Sequence, residues 1–335
     1  MTLDSIGEFG LIDRIVARLG DAAARDIVVP PGDDAAAWAV DAGLAVASVD
    51  TLAEGTHWRR DTMSFADVGW RAVATSVSDL AAMGAEAGYL LIAAELAPDV
   101  ELDDVDAFSE GVAEACRHYG VRVAGGNVAG AAATSVSTTA FGSASTLDDG
   151  TAALLRRDAA RPGDLVAVSG TPGAAAAGLA LIEAGRAAEE DAGPLVGAHR
   201  RPPARLELGR AAVAAGVRCA IDISDGLLQD LGHVARASGV GIELDAAALP
   251  LHPAATALLD AENALELALR GGEDYELALT APAATLGALP PAETTITTIG
   301  RVVTAHPGEV VALGGDGRPL AQPSGGWDQL RTARG

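Results

Sequence analysis

Lysine is absent from this 335-residue chain; all 23 of its lysine-or-arginine cations are arginines. That absence excludes several mechanisms at once. A Walker-A phosphate loop needs a lysine to reach the β- and γ-phosphates, and a protein kinase needs its strand lysine. Schiff-base and lysine-base chemistry are excluded with them. Aromatic residues are scarce at 3%, so the core must come from alanine, valine, leucine and isoleucine in a chain that is 49% hydrophobic. Only two cysteines occur, Cys116 and Cys219, far apart and in no CxxC pair. They can build neither a disulfide framework nor a structural zinc site. Positive charge is also short, since 46 acids against 23 arginines leave a net charge of −23. Such a balance argues against nucleic-acid and anionic-membrane partners. No apolar run approaches the roughly 18 residues of a membrane span. Met1–Gly10 lacks the basic and apolar regions of a signal peptide. The expectation is a cytoplasmic protein.

What is present reads as a mixture of helices and strands. The length suggests about two domains. Apolar periodicity predicts helices over Glu8–Leu19, Asp67–Met83, Asp103–Tyr119, Ala174–Ala184, Pro203–Ala215 and Gly226–Ser238. Gly84 is placed to stop the second of these. Extended segments are expected at Ile27–Pro31, Ala35–Val40, Leu44–Val49, Tyr89–Leu96, Val121–Ala124 and Ser135–Ser143. Further strands are expected at Leu165–Ser169, Cys219–Ile223, Gly241–Leu244, Tyr275–Thr280, Thr295–Val303 and Glu309–Leu313. The order lacks the strict alternation of a doubly wound fold, so the class is α/β with mixed sheets of the α+β type. Polar turns near Leu147–Thr151 and Arg161–Asp164 place a boundary between domains 1–148 and 149–335. Ala187–Gly197 reads as a mobile surface loop, and Gly170–Gly178 as close strand–helix packing rather than a phosphate loop.

The informative pattern is where the acids fall. Apolar stretches end on Asp33-Asp34, on Asp50, on Asn127 and on Asp222-Ile223-Ser224-Asp225, each beside small residues. Asp79 sits late in an apolar helix, where it opposes the macrodipole. One such acid is an ordinary turn residue. Several converging on one face need a counter-ion or raised pKa values. Mg²⁺ fits best: it takes one or two carboxylates, keeps waters and bridges to substrate phosphates. The residues alone therefore point to a phosphate site in which metal replaces the usual lysine.

The motifs are also recognisable. Gly7-Glu8-Phe9-Gly10-Leu11-Ile12, Gly32-Asp33-Asp34-Ala35-Ala36, Asp50–Trp58 and Ser78–Ala85 resemble those of thiamine-monophosphate kinases. So do Ser169-Gly170-Thr171-Pro172-Gly173, Asp222–Leu227 and Gly271–Leu277, all in family order. The resemblance implies the fold shared with aminoimidazole-ribonucleotide synthetase and selenophosphate synthetase. In it two α/β domains form each subunit, and the N-terminal domains of two subunits pair into a barrel. It implies a homodimer and direct in-line transfer from ATP to thiamine monophosphate with several Mg²⁺ ions. By residue, it makes Asp34, Asp50, Asp79 and Asp222 catalytic metal ligands, with Asp225, Ser48, Val49 and Asn127 as further ligand positions. Gly126, Asn127, Arg157 and Ser224 match nucleotide contacts, and His57, Glu273 and Trp327 match contacts to thiamine monophosphate.

Two positions depart from the family. Asn127 stands where the family usually has aspartate, and Val49 where it often has threonine. An amide oxygen brings no charge, and valine offers a metal only its backbone carbonyl. Both departures are expected beside one metal. Two other readings compete. A selenophosphate-synthetase-like enzyme would carry a reactive cysteine and a lysine in a glycine-rich N-terminal segment, and this chain has neither. A non-catalytic nucleotide- or thiamine-phosphate-binding protein would bind without turnover. Asn127→Asp is expected to lower the Mg²⁺ concentration needed for half-maximal activity; an unchanged Mg²⁺ titration contradicts this.

Overall fold

A computed structural model describes residues 14–15, 17–21, 43–146, 153–290 and 294–320. Of the predicted N-terminal helix only helical residues within 14–21 are described. The motifs at 7–12 and 32–36, the extended segments at 27–31 and 35–40, Asp34 and Trp327 lie outside the described residues. The rest divides into two units, one ending at Ala153 and one running on from Leu154, with the short Ala81–Gly84 stretch grouped with the second.

The first unit is a four-stranded sheet with helices on one face. Its elements run β1 (Leu44–Ala53), α1 (Phe65–Ala82), β2 (Glu86–Leu96), α2 (Leu102–Tyr119), β3 (Arg122–Gly130) and β4 (Ser135–Ala144). Helix α1 ends where Gly84 turns left-handed at φ +67, the stop expected from sequence. Helix α2 starts with a reciprocal capping box between Glu101 and Asp104 and ends at left-handed Gly120. Strand order is β1-β4-β2-β3, antiparallel except for the parallel β2–β3 pair. Leu52, Val136, Val68, Ala72, Val105 and Trp58 form the core between sheet and helices. The Trp58 ring meets Phe65 edge-on at 5.4 Å.

The second unit holds a six-stranded mixed sheet ordered β10-β7-β9-β5-β8-β6. The strands are β5 (Leu165–Ser169), β6 (Cys219–Asp222), β7 (Gly241–Asp245), β8 (Leu277–Ala281), β9 (Ile296–Val303) and β10 (Val310–Leu313). Its helices are α3 (Ala174–Glu183), α4 (Gly193–Arg200), α5 (Leu206–Ala215), α6 (Leu227–Ser238), α7 (Pro253–Leu259), α8 (Ala261–Arg270) and α9 (Ala283–Leu286). Leu227, Leu231, Val234 and Ala235 of α6 pack on Ile221, Ile242, Leu244 and Ile299 of the sheet. A separate cluster joins α3, α4, α7 and α8 through Ala177, Leu181, Leu195, Val196, Ala254 and Ala264. Among the described residues no helix is long and apolar enough to cross a membrane.

The expected loop at Ala187–Gly197 is corrected by this cluster. Residues 193–200 form helix α4, and Ala192, Leu195 and Val196 are buried. Gly193, Pro194 and Gly197 hid the helix in the sequence, although proline in the first turn is a normal helix start. Glycine in α3 makes the close approach possible: a Cβ at Gly178 would lie 2.0 Å from the Leu195 carbonyl oxygen. That contact is helix on helix, not the strand on helix expected for Gly170–Gly178. Leu195→Ala is expected to cost about 2–5 kcal/mol in denaturant unfolding. A loss below about 0.5 kcal/mol, the range of ordinary surface changes, would return this segment to the surface.

Candidate active site

In the first unit β1 sorts its side chains by alternation. Ser48 and Asp50 pair with Ala140 and Thr138 and share the helix-covered face with Leu52. Val49 points the other way and is 62% exposed. The Ser48 hydroxyl donates to Asp79 Oδ2 in the last turn of α1. Ser76, one turn earlier, donates to the Thr138 carbonyl at 2.9 Å and fixes the helix against β4. Asp79 therefore gains at Ser48 a donor that partly offsets its unfavourable place at a helix C-terminus. Asp50 follows on the same face, about 6.7 Å further along the strand. Just past β1, His57 Nδ1 accepts the Ala53 N–H at 3.0 Å. In the neutral ring the proton is then on Nε2, which has no partner among the described residues.

Gly126 and Asn127 sit on β3, beside Ile92 and Ala93. A Cβ at Gly126 would lie 2.0 Å from the Ile92 carbonyl oxygen, so only glycine fits that approach. Asn127 is exposed. Strands β1 and β3 are opposite edges of the sheet, with β4 and β2 between them. Three strand spacings amount to about 14 Å. Among the described residues, Val49 and Asn127 of one chain thus lie on strands three spacings apart.

The second unit brings its expected residues together. Asp222 ends β6, buried at 3% exposure, and Ser224-Asp225-Gly226 turns from it into α6. The Gly271–Glu276 segment packs along this turn. Glu273 N–H donates to the Ser224 carbonyl at 2.7 Å, and Tyr275 N–H to the Ile223 carbonyl at 2.9 Å. Glu273 and Tyr275 both adopt left-handed backbone, at φ +71 and +52. Such residues cost of order 1–3 kcal/mol each and persist only where their surroundings hold them. Gly272 is required by the contact, since a Cβ there would lie 2.4 Å from the Ser224 carbonyl oxygen. Arg157 is exposed; its neighbour Arg156 is the residue paired with Asp158, at 2.9 Å. Burial pushes the His233 imidazole down from its usual range, and Arg236 and Arg157 push it the same way, which places Arg157 near α6.

Four residues of this site carried no role in the sequence reading. Asp230, in the first turn of α6, accepts three successive backbone N–H groups. Burial pushes its carboxyl up to about 8; the Asp222 and Asp225 charges add to the rise, and the Asp225 and Gly226 amides oppose it. Asp274 is buried at the start of α3, where it accepts Gly173 N–H at 2.6 Å and Ala175 N–H at 2.9 Å. Burial pushes it up to about 7 against those amides, with Glu276 and Glu273 adding to the rise. Glu276 takes the Ser169 hydroxyl and the forked guanidinium of Arg205, whose Nε lies at 2.7 Å. Gly226 offered a signal for Asp230: a glycine N-cap has no side-chain acceptor, so the acid four residues on is the local candidate to cap.

The donor set suits a hard divalent cation. Asp225, Asp230 and His233 each place a ligand atom within 4.8 Å of the others, and Asp222 is within electrostatic reach of Asp230. Both cysteines are buried away from such chemistry, with thiols pushed up by burial to about 12 at Cys116 and about 11 at Cys219. Carboxylate oxygens predominate in this group, as suits a hard cation. The Arg205–Glu276 pair should matter for stability in its own right. Arg205→Met leaves Glu276 buried and uncompensated and is expected to cost about 3 kcal/mol in denaturant unfolding; a loss below about 0.5 kcal/mol contradicts the pairing.

Residues 32–144 match the family described as AIR synthase related protein, N-terminal domain, and residues 161–312 its C-terminal domain. The chain is 36% identical over 334 residues to the thiamine-monophosphate kinase of Escherichia coli K12, covering 97% of this chain and 99% of that protein. The crystal structure of thiamine-monophosphate kinase from Stenotrophomonas maltophilia K279a superposes with a TM-score of 0.81 at 36% identity, covering 94% of this chain and 98% of that one. AaThiL complexed with AMPPCP and TMP superposes with a TM-score of 0.75 at 34% identity, covering 98% of each. With family-level identity along nearly its whole length, the chain belongs to the thiamine-monophosphate kinase family.

Proposed function

We infer that this chain is an ATP-dependent phosphotransferase that converts thiamine monophosphate to thiamine diphosphate. The relatives support the reaction, and the AaThiL complex was obtained with an ATP analogue and TMP. The observation in this chain that carries the reading is the paired loop in which backbone bonds from Glu273 to Ser224 and from Tyr275 to Ile223 fix the turn that carries Asp222 and Asp225.

We propose Mg²⁺ as the metal, held by Asp222 and Asp225 in the second unit and by Asp50 and Asp79 in the first, with Asp34 as a further ligand. When bound, Mg²⁺ supplies charge neutralisation on the phosphates, the task a lysine performs in other phosphotransferases. Ser48 holds Asp79 by its hydroxyl. Ser224 and Arg157 contact the nucleotide, with Gly126 and Asn127 as further contacts. His57, whose Nδ1 accepts the Ala53 N–H, contacts thiamine monophosphate. Glu273 and Trp327 are further contacts to it; a carboxylate and an indole both suit a cationic thiazolium. Transfer is direct, so positioning and charge neutralisation account for the rate.

In this reading the first domain, residues 1–148, binds metal and nucleotide and dimerises, and the second, residues 149–335, carries Asp222, Ser224, Asp225 and Glu273. The β1 face carrying exposed Val49 and Ala47 suits pairing with a second copy in a shared barrel. The protein acts in the cytoplasm.

The test is ADP release with ATP, Mg²⁺ and thiamine monophosphate, with the diphosphate product identified. Asp222→Asn is expected to lower kcat by at least about a hundredfold, the scale of losing one preorganised electrostatic group. Binding without turnover would favour the non-catalytic reading, and turnover only with another acceptor the sister-synthetase reading.

A further inference from the structure

One oxygen of Asp230 holds three consecutive peptide groups. Its Oδ2 accepts Ser224 N–H at 3.0 Å, Asp225 N–H at 3.1 Å and Gly226 N–H at 3.0 Å. The side chain belongs to a residue with only 3% exposure, so no solvent shares the task. Successive amides converging on one point form the concavity that proteins use to bind anions. Here the acceptor is the protein's own Asp230 oxygen, folded back from the first turn of the following helix.

The local geometry leaves this task to Asp230. Gly226 is the N-cap of α6, with φ +121, and supplies no capping side chain. A side chain cannot be added there, because a Cβ would lie 2.5 Å from the Arg270 carbonyl oxygen. Asp225 is engaged elsewhere: its Oδ2 accepts Gln229 Nε2 at 3.0 Å. The opposite side of the turn is fixed by the Glu273 and Tyr275 amides on the Ser224 and Ile223 carbonyls. The turn is thus clamped from two sides, by a carboxylate on its N–H groups and by a neighbouring backbone on its carbonyls.

We infer that Asp230 is a positioning residue whose carboxylate shapes residues 224–226 so that Asp222 and Asp225 present their oxygens together to a Mg²⁺-bound phosphate. The inference rests on the kinase reading for the identity of the metal site. It assigns Asp230 to the turn and not to the metal: Oδ2 is committed to the three amides. A carboxylate oxygen of Asp230 also lies within 4.8 Å of ligand atoms of Asp225 and His233, so the variants are chosen to separate the two roles. Residues that orient ligands typically carry a tenfold to hundredfold share of metal affinity without touching the metal.

The experiment measures ADP binding by calorimetry at increasing Mg²⁺, after removal of bound metal, with thermal unfolding of each variant alongside. Asp230→Ala removes the clamp and is expected to raise the Mg²⁺ concentration for half-maximal ADP binding by about tenfold or more. Asp230→Asn keeps one acceptor oxygen in place and is expected to stay within about threefold of the parent, well inside that range. Asp230→Glu keeps the charge but displaces the acceptor by about one bond length, roughly 1.5 Å, and is expected to behave like Asp230→Ala. If Asp230→Ala fails to fold, the contrast between the Glu and Asn variants decides. Parental Mg²⁺ dependence in the Ala or Glu variant overturns the inference. So does an Asn variant as impaired as the Ala variant, because that marks the charge as a direct ligand. The readout does not involve thiamine monophosphate: a parent chain that binds Mg²⁺ and ADP but makes no thiamine diphosphate would contradict the kinase reading and leave the role of Asp230 standing.

Discussion

Asp222, Asp225 and Asp230 lie within electrostatic reach of one another, and charge of one sign cannot be collected around a buried turn unless something offsets it. In a chain without lysine the available offsets are backbone amides, arginine and metal ions. The second unit uses the first two in a consistent way. Asp230 is offset by three amides of the turn it follows, Asp274 by two amides at the start of α3, and Glu276 by Arg205 and Ser169. The proposed metal site is organised around Asp222 and Asp225. Burial pushes the Asp230 carboxyl up to about 8, with the Asp222 and Asp225 charges adding to the rise.

The same anchors make the site rigid. Asp274 ties the middle of the Gly271–Glu276 segment to α3, and Glu276 ties its end to β5 and to the residue that begins α5. On either side of Asp274, Glu273 and Tyr275 are held in left-handed backbone, with Gly226 and Gly272 allowing two loops to approach within a distance no side chain would permit. Strain of this kind is tolerable because the segment is fixed at its middle and at its end. The first unit follows a similar logic on a smaller scale, with Ser48 and Ser76 fastening the last turns of α1 to the sheet that carries Asp50.

Sequence made much of this legible, for physical reasons that can be named. The helices α1, α2 and α6 and most strands follow apolar period, and Gly84 and Gly120 stop their helices where glycine readily turns left-handed. Helix α4 was hidden by two glycines and a proline and α7 by its shortness, whereas α8 carries an amphipathic period that the sequence does show. The acid-bearing motifs were visible because acids at the ends of apolar runs are unusual. Asp230, Asp274 and Arg205 were not, because they act on backbone amides or on another side chain across the fold, and such partners leave little periodic trace. Strand order was equally hidden, and it is the order β1-β4-β2-β3 that separates Val49 from Asn127.

The central claim is that Asp222 and Asp225 hold the metal while Asp230 holds the turn that carries them. An anomalous difference map from crystals grown with Mn²⁺ and a non-hydrolysable ATP analogue tests it most directly. The account predicts an ion at bonding distance from carboxylate oxygens of Asp222 and Asp225, with Asp230 Oδ2 still on the three amides. An ion bound instead by Asp230 and His233, or none beside Asp222 and Asp225, would contradict it.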